Sequence, residues 1–551
     1  MRKTIAFVVL LFSCSAFAQD KLSVIQQAMR DELERNMKEL KSDGFEKPFF
    51  INYSLLDATT FQATATLGAL MQSTESKART ALSIRLLVGD YDFNDESLDN
   101  NLFSQPRANE IELPIDDDYL GIRRSLWIST DNVYRNASRQ FAKNKEMLKE
   151  QNKPLAEVPH RSFEKVSPSK ISIEAPEVKF DRKATEDYIR KVSAVFAEYS
   201  EITASNVNFY YTSGYRYLVN SEGSTNKVPA VVVQLSIDAA FQTTSGEFIF
   251  DEAVYRYSTP QLPPVETMME NVKKMASALV VRSKAPAFHE EYIGPVLFEG
   301  DFLAQTISDQ LFSGEDNLIA NNNIPSLKGL RYEPTNSMDT KVGKAVFAEG
   351  MTLKATPKLK KYGDQELFGS FEVDDEGVVP ADETVLIENG VLKALLNDRT
   401  NVKPDQVANG FGAGPGVVSI SFRNTIPESS MKAKLIEQAK KEGLEYALIV
   451  KHGLLMGQQM GLAVMANVYK IYVADGREEL VRQTSVKHMS QRNFRKVIAA
   501  SKETGAYHVT GIGSIISVIG PKAIIFEEVE VGTSDMPTMK EEEYVPSPLK
   551  K

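Results

Sequence analysis

Cysteine occurs once in the 551 residues, at Cys14, tryptophan once and histidine five times. A single thiol excludes an internal disulfide, so the fold rests on burial of apolar surface. The histidines, His160, His289, His452, His488 and His508, are never closer than twenty positions. No helix can therefore present two of them to one ion in the H-E-x-x-H manner of hydrolytic zinc sites. Positive charge is also in deficit: 64 Lys and Arg stand against 74 Asp and Glu, a net charge of −10, which disfavours nucleic acid as a partner. No stretch reaches the roughly 18 uninterrupted apolar residues of a membrane-crossing helix. A G-x-S-x-G nucleophile elbow is missing as well, since Gly511-Ile512-Gly513-Ser514 lacks that spacing.

What is present is the composition of an ordinary globular protein, 42% hydrophobic and 25% charged. At about 100–200 residues per domain, the length predicts two to four domains. Residues 1–18 read as a signal peptide: Met1-Arg2-Lys3 is basic, Ile5 to Phe12 is apolar, and Ala16-Phe17-Ala18 is a small-x-small cleavage site. Cleavage there removes Arg2, Lys3 and Cys14 and leaves 62 basic against 74 acidic residues, a net charge of −12 and no thiol. The expectation is an exported protein, periplasmic or extracellular, with no transmembrane segment. A lipid anchor on Cys14 is the weaker reading, because Phe12 precedes Ser13.

Residues 19–290 read as an α+β domain. Leu22, Ile25, Met29, Leu33, Met37 and Leu40 give a helix over Lys21 to Lys41. Phe49 to Leu56, Phe61 to Leu70 and Ala81 to Val88 read as antiparallel strands. Asp116-Asp117-Asp118 reads as a solvated turn opening a helix that runs to about Leu148. Residues 150–182, with four prolines, read as a surface connection, after which Thr185 is placed to cap a helix. Strands return over Val207 to Tyr211, Tyr215 to Val219, Ala230 to Ala240 and Glu247 to Tyr255, followed by a helix over Val265 to Val280. Residues 291–540 read as a strand-rich domain, with strands at Leu353 to Leu359, Leu367 to Val373, Thr384 to Glu388 and Val391 to Leu396. Asn389-Gly390 is the hairpin signal between the last two. Residues 541–551 are a loose tail.

Candidate chemistry is sparse. Asn409 to Gly416 is glycine-rich but breaks G-x-G-x-x-G at Pro415, and so reads as a flexible loop. Asp374-Asp375-Glu376 reads as a solvated turn between strands. His289-Glu290-Glu291 is an isolated fragment at the junction of the two halves.

Three stretches taken together resemble the TldD/PmbA family, once described as modulators of DNA gyrase and now as zinc metallopeptidases with inactivated relatives. Phe371 to Pro380, running through Thr384 to Leu392 into Asn397-Asp398-Arg399, is similar to the family's acidic turn and LIENG hairpin. Gly294-Pro295-Val296-Leu297-Phe298 resembles the strand entering its C-terminal domain, and Pro521 to Val531 its closing strand. Leu113 to Asp131 and Asn220-Ser221-Glu222-Gly223 resemble the N-terminal half of exported members. The resemblance implies a two-domain α+β fold, an N-terminal antiparallel sheet with helices before a strand-rich C-terminal domain.

Catalytic members of that family carry H-E-x-x-x-H on the helix after the Pro-Val-Leu strand and a late cysteine ligand. Counted without gaps, the two histidine positions fall on Ile307 and Phe312 and the glutamate position on Ser308. Without the ion there is no Lewis acid and no lowering of bound-water pKa towards about 7. The resemblance thus implies a catalytically silent homologue with no cofactor, no catalytic residue and no metal ligand. It would work as a homodimer or as the non-catalytic partner of a TldD-like subunit, with unstructured peptide as the substrate class. The alternatives are an active metallopeptidase with non-standard ligands, His289 foremost, or a peptide-binding, chaperone-like envelope protein.

Overall fold

A computed structural model describes residues 22–98, 107–108, 110–242, 248–313, 316–320, 338–402, 406–412, 414–456, 463–482, 484–487, 489–511, 514–533 and 549. Residues 1–18, read above as a signal peptide and including Cys14, lie outside them, as do His488 and nearly all of the 541–551 tail. The fold is α+β.

The first sheet is built on two long strands, Pro48–Thr66 and Ala69–Val88, paired antiparallel along their length. The sequence led us to expect three strands here. The tight turn is Leu67-Gly68, with φ of 47° and 84°, and a leucine in that conformation carries no turn signal. Ala204–Asn220 pairs with the first strand, Val232–Gln242 with that one, and Phe248–Tyr257 ends the order as an edge.

Alternation sorts the side chains. Ile51, Tyr53, Leu55, Phe61 and Ala63 point to one face, where four helices cover them. These are α1 (Val24–Glu39), α2 (Tyr119–Gln151), α3 (Arg182–Ala194) and α4 (Val265–Lys284). The opposite face is polar: Thr60 bonds Thr212 at 3.0 Å, and Asn206 and Asn208 donate to Asp238 at 2.9 Å. Asp181, rather than Thr185, caps α3. The Asp181 carboxylate accepts the Ala184 N–H at 3.0 Å, while Thr185 turns inward and bonds the Asp181 carbonyl. Asp118 caps α2, and Asp117 pairs with the buried Arg79 at 2.7 Å, so the aspartate run is an anchored helix start.

Among the described residues, the second half is built on two large sheets, with a small hairpin of Lys361–Tyr362 and Gln365–Glu366 beside them. Tyr292–Glu299 lies inside one of them, antiparallel to Ala523–Thr533 and parallel to Tyr446–Met456. Val296 and Phe298 enter one core and Leu297 another, the double burial of a central strand. The other sheet runs Val391–Leu392, Thr384–Glu388, Met351–Ala355, Val417–Phe422, Ile515–Pro521, Thr504–Thr510. α5 (Gly300–Phe312) is buried in the core the two sheets share, and α6 (Met431–Lys441) covers the outer face of the first.

Asn389 and Gly390, at φ 51° and 80°, make the expected hairpin turn. Leu367 to Val373 forms no strand. A Cβ on Gly369 would sit 2.3 Å from the Gly416 carbonyl oxygen, so this backbone packs directly on the glycine-rich segment instead of joining a ladder.

The halves are joined through buried ionic contacts. Ser162–Phe163, from the proline-rich connection, pairs with Thr400–Asn401. The Phe163 ring is flanked by two guanidinium groups, Arg399 at 4.1 Å and Arg85 at 4.6 Å. Arg399 bonds Glu222 at 2.7 Å and the Glu164 carbonyl, while Arg85 pairs with Glu96 at 2.5 Å and with Glu376. Of the acidic turn, only Asp375 is exposed, while Asp374 and Glu376 are turned inward. Asp374 is buried and its carboxylate accepts the N–H groups of Glu376, Val378 and Gly412 at 3.0, 2.8 and 3.1 Å. The glycine-rich segment is held by the last of these bonds.

Candidate functional site

α5 follows the central strand directly, and its sequence decides which side chains reach solvent. Phe302, Leu303, Ile307, Leu311 and Phe312 recur at helical spacing and enter the core. Ile307 and Phe312, placed by sequence at histidine positions, are 1% and 3% exposed. Ser308 is fully buried, and its hydroxyl has no hydrogen-bond partner. The residues of α5 that line a cavity are Asp301 and Gln305, one turn apart.

That cavity, about 570 Å³, lies between α5, the edge strand Phe248–Tyr257 and the strand Thr504–Thr510. A second of about 340 Å³ shares Glu252, Val254 and Asp301 and continues along the same edge. Glu252, Val254 and Arg256 alternate onto the polar face of the first sheet. Among the described residues, Phe248–Tyr257 has a paired strand on one side only.

Charge in this cleft is set by burial. The Arg256 guanidinium donates to the His508 carbonyl at 3.2 Å and to the Thr510 hydroxyl at 3.0 Å, and its Nε is buried without a partner. Burial lowers the Arg256 pKa below its ordinary value. Burial, with Arg256 beside it, pushes His508 down to about 4, so the ring is neutral at pH 7. Its Nδ1 lies 3.0 Å from the Ser517 hydroxyl, and Phe368 meets the ring edge-on at 4.8 Å. Burial raises the Glu252 carboxyl, and Asp238 raises it further. Asp309, one turn behind Gln305, accepts the Gln305 amide at 2.9 Å on Oδ1, and its Oδ2 has no hydrogen-bond partner. Burial pushes Asp309 up to about 6.

The donor set on α5 does not fit a catalytic zinc ion, which takes about three His, carboxylate or Cys ligands. Among the described residues, no three such side chains come together. His289 is exposed, and the adjacent Glu290 is held by Tyr446 and by Lys470 at 2.7 Å. His160 bonds the Val158 carbonyl at 2.7 Å. The cleft instead offers amide, guanidinium and carboxylate groups beside an unpaired strand edge, which suits binding of an extended chain.

Sequence reasoning missed Arg256, Glu252, Gln305 and Gln365 altogether. They come from three separate segments with no local motif, and alternation along Glu247 to Tyr255 was the one available signal. His508 was noted only as one of five histidines.

Residues 294–533 match the family model described as the PmbA/TldA metallopeptidase C-terminal domain. Similar solved structures include a protein assigned as a modulator of a DNA gyrase from Thermotoga maritima, at 14% identity and a TM-score of 0.56, covering 91% of this chain and 100% of that one. TldE from Thermococcus kodakarensis is 16% identical with a TM-score of 0.53, over 92% and 100%. A protein assigned as a modulator of DNA gyrase from Bacteroides thetaiotaomicron is 12% identical with a TM-score of 0.56, over 93% and 98%. At these identities the likeness is one of fold. A curated relative, a metalloprotease of Methanothermobacter thermautotrophicus, is 44% identical over 62 residues, which span 11% of this chain and 12% of that protein. Among the described residues, no helix is long and apolar enough to cross a membrane.

Proposed function

From the match of residues 294–533 to the PmbA/TldA metallopeptidase C-terminal domain, we propose that the chain is an exported, catalytically silent member of the TldD/PmbA family. It holds extended peptide in its cleft and serves as the non-catalytic partner of a TldD-like subunit. The observation that carries this reading is the orientation of α5, which commits Ile307, Leu311 and Phe312 to the core and turns only Asp301 and Gln305 to the cleft. The side chains at the two histidine positions and at the glutamate position, Ile307, Phe312 and Ser308, are buried and present neither imidazole nor carboxylate to the cleft. The strand edge at Phe248–Tyr257 can pair with a peptide backbone whatever its side chains, which suits unstructured substrates of mixed sequence. Export is supported by Met1-Arg2-Lys3, Ile5 to Phe12 and Ala16-Phe17-Ala18.

The test combines metal content, cleavage and binding on the purified chain. We expect substoichiometric zinc, no cleavage of a fluorescent unstructured peptide, and binding of that peptide with a Kd of about 1–100 μM. Methylating alternate backbone amides of the peptide should weaken binding by about tenfold or more, because each blocked N–H removes a ladder bond. Tightly held zinc at one per chain, with turnover that a chelator abolishes, overturns the proposal.

A further inference from the structure

The two strand edges that border the cleft are not equivalent. Thr504–Thr510 ends its sheet, and Glu503 and Gly511 bond across the ladder to Lys522 and Ser514. Antiparallel alternation then turns the carbonyls of Ala506, His508 and Thr510 to the outer edge. All three are taken by side chains: Gln365 donates to Ala506 at 2.9 Å, Arg256 to His508 at 3.2 Å and Gln305 to Thr510 at 3.4 Å. An incoming backbone finds these acceptors occupied.

The opposite edge is open over a short stretch. The Gly214 carbonyl accepts the Ala230 N–H, which assigns the even residues of Val232–Gln242 to the strand Ala204–Asn220 and the odd ones to Phe248–Tyr257. The even residues of Phe248–Tyr257 therefore turn N–H and C=O away from their sheet. In that series Arg282 caps the Phe250 carbonyl and the Asp251 carboxylate accepts the Glu252 N–H, so the open stretch is Val254 to Arg256. A peptide paired there sets one of its side chains directly beside Arg256 on the same face, with Cβ atoms about 5 Å apart.

Arg256 is prepared for a negative charge at that position. Buried arginines elsewhere in the fold, Arg79, Arg85 and Arg399, each hold a carboxylate. Arg256 makes no ion pair among the described residues, and its Nε is buried without a partner. Its bonds to the His508 carbonyl and the Thr510 hydroxyl fix the guanidinium at the wall of the larger cavity. Arg282 also lacks an ion pair, but it is bonded to Asn467 and Phe250 and lines neither cavity. A guanidinium partly stripped of water gains strongly from a carboxylate that reaches it. Glu252 lies four positions from Arg256, about 13 Å along the strand, and shares its end of the cleft with Asp301. A carboxylate is thus drawn to one end and repelled from the other, which sets the register of the bound chain.

We propose that Arg256 is a carboxylate subsite, so that the cleft, read as a peptide site, selects peptides with a negative group facing this residue. That group is an acidic side chain or the C-terminal carboxylate.

Calorimetric titration of the purified chain with short peptides tests this. The reference is a peptide of Ser, Thr and Gln, acetylated and amidated. In two others a central Gln is replaced by Glu or by Lys, and a last one is the reference with a free C-terminal carboxylate. We expect the Glu peptide, the free acid or both to bind about tenfold tighter than the reference, and the Lys peptide not to. Tighter binding of the Glu peptide alone identifies a side chain as the source, and of the free acid alone the terminus. Arg256→Gln keeps a donor for the His508 carbonyl and should bring the preference for the charged peptide down to about one. Arg256→Lys, with no planar fork, should lower it about threefold or more, and is read in place of Arg256→Gln if circular dichroism shows that variant unfolded. Equal affinity of all the peptides overturns the subsite and leaves the cleft reading standing, provided that methylated backbone amides still weaken the reference. A preference that the folded Arg256 variants retain in full overturns the subsite too, as does a Lys peptide that binds as tightly as the charged acids. Binding of none of the peptides overturns both readings.

Discussion

His508 lines the cleft and Asp309 is buried one helical turn behind the cleft residue Gln305, and the two oppose each other in their response to pH. The Asp309 carboxyl rises from 3.8 to about 6 in the fold, so the native state favours its neutral form. Its contribution is present below 3.8 and lost as pH rises through about 6, leaving the protein to carry the cost of a buried charge at neutral pH. His508 falls from 6.5 to about 4, and its contribution is present above 6.5 and lost as pH falls through about 4. Asp309→Asn keeps an acceptor for Gln305 and removes the charge. We expect it to stabilise the protein by about 1–2 kcal/mol at pH 7.5 and to bring no gain at pH 3.5, measured by urea unfolding. In that variant the acid loss due to His508 stands uncompensated, so stability should fall more steeply between pH 6.5 and 4 than in the parent. A gain that is equal at both pH values would show that Asp309 carries no buried charge. Neither residue stood out in the sequence, because their shifts come from burial by segments distant in the chain.

Among the elements, helices were the most legible, since three- and four-residue apolar spacing reports the buried stripe directly. α1 and α4 lie where that spacing predicts. Their ends were less legible: Thr185 has the chemistry of a cap, but Asp181 lies one turn earlier and takes the role, with Thr185 bonded back to its carbonyl. Turns failed where they used an ordinary residue, as at Leu67, or where glycine served close packing rather than a bend, as at Gly369. The acidic turn shows the deepest misreading. Three adjacent carboxylates look solvated, yet Asp374 organises the turn by accepting three backbone N–H groups, and Glu376 reaches Arg85 and the Arg399 N–H. Asp374→Ala strands those donors, and we expect a cost of about 2–4 kcal/mol in denaturant unfolding. Asp374→Asn keeps one acceptor oxygen and should cost less than the alanine variant. Equal stability of all three would mean that the turn is set by its neighbours alone.

At the scale of the molecule, the family fold was legible from the hairpin and the two apolar strands flanking the C-terminal domain, whereas the cleft was not. It is assembled from residues 252–256, 301–305, 365 and 506–510, which meet only after both halves have folded and docked. The docking itself depends on Arg399, whose side chain is fully buried between Phe163, Phe50 and Glu222. Arg399→Ala leaves the Glu222 carboxylate buried without its partner. We expect a loss of about 3–5 kcal/mol and a thermal transition that separates into two steps in calorimetry. A single unshifted transition would show that the halves hold together without this contact. The strand Ser162–Phe163 has one more consequence, for biogenesis. Its pairing partner arrives about 240 residues later in the chain, which at 5–20 residues per second is a delay of roughly 10–50 s on the ribosome. Throughout that interval the leading segment has no lid over Phe163, and it is then that a nascent-chain chaperone has most to protect.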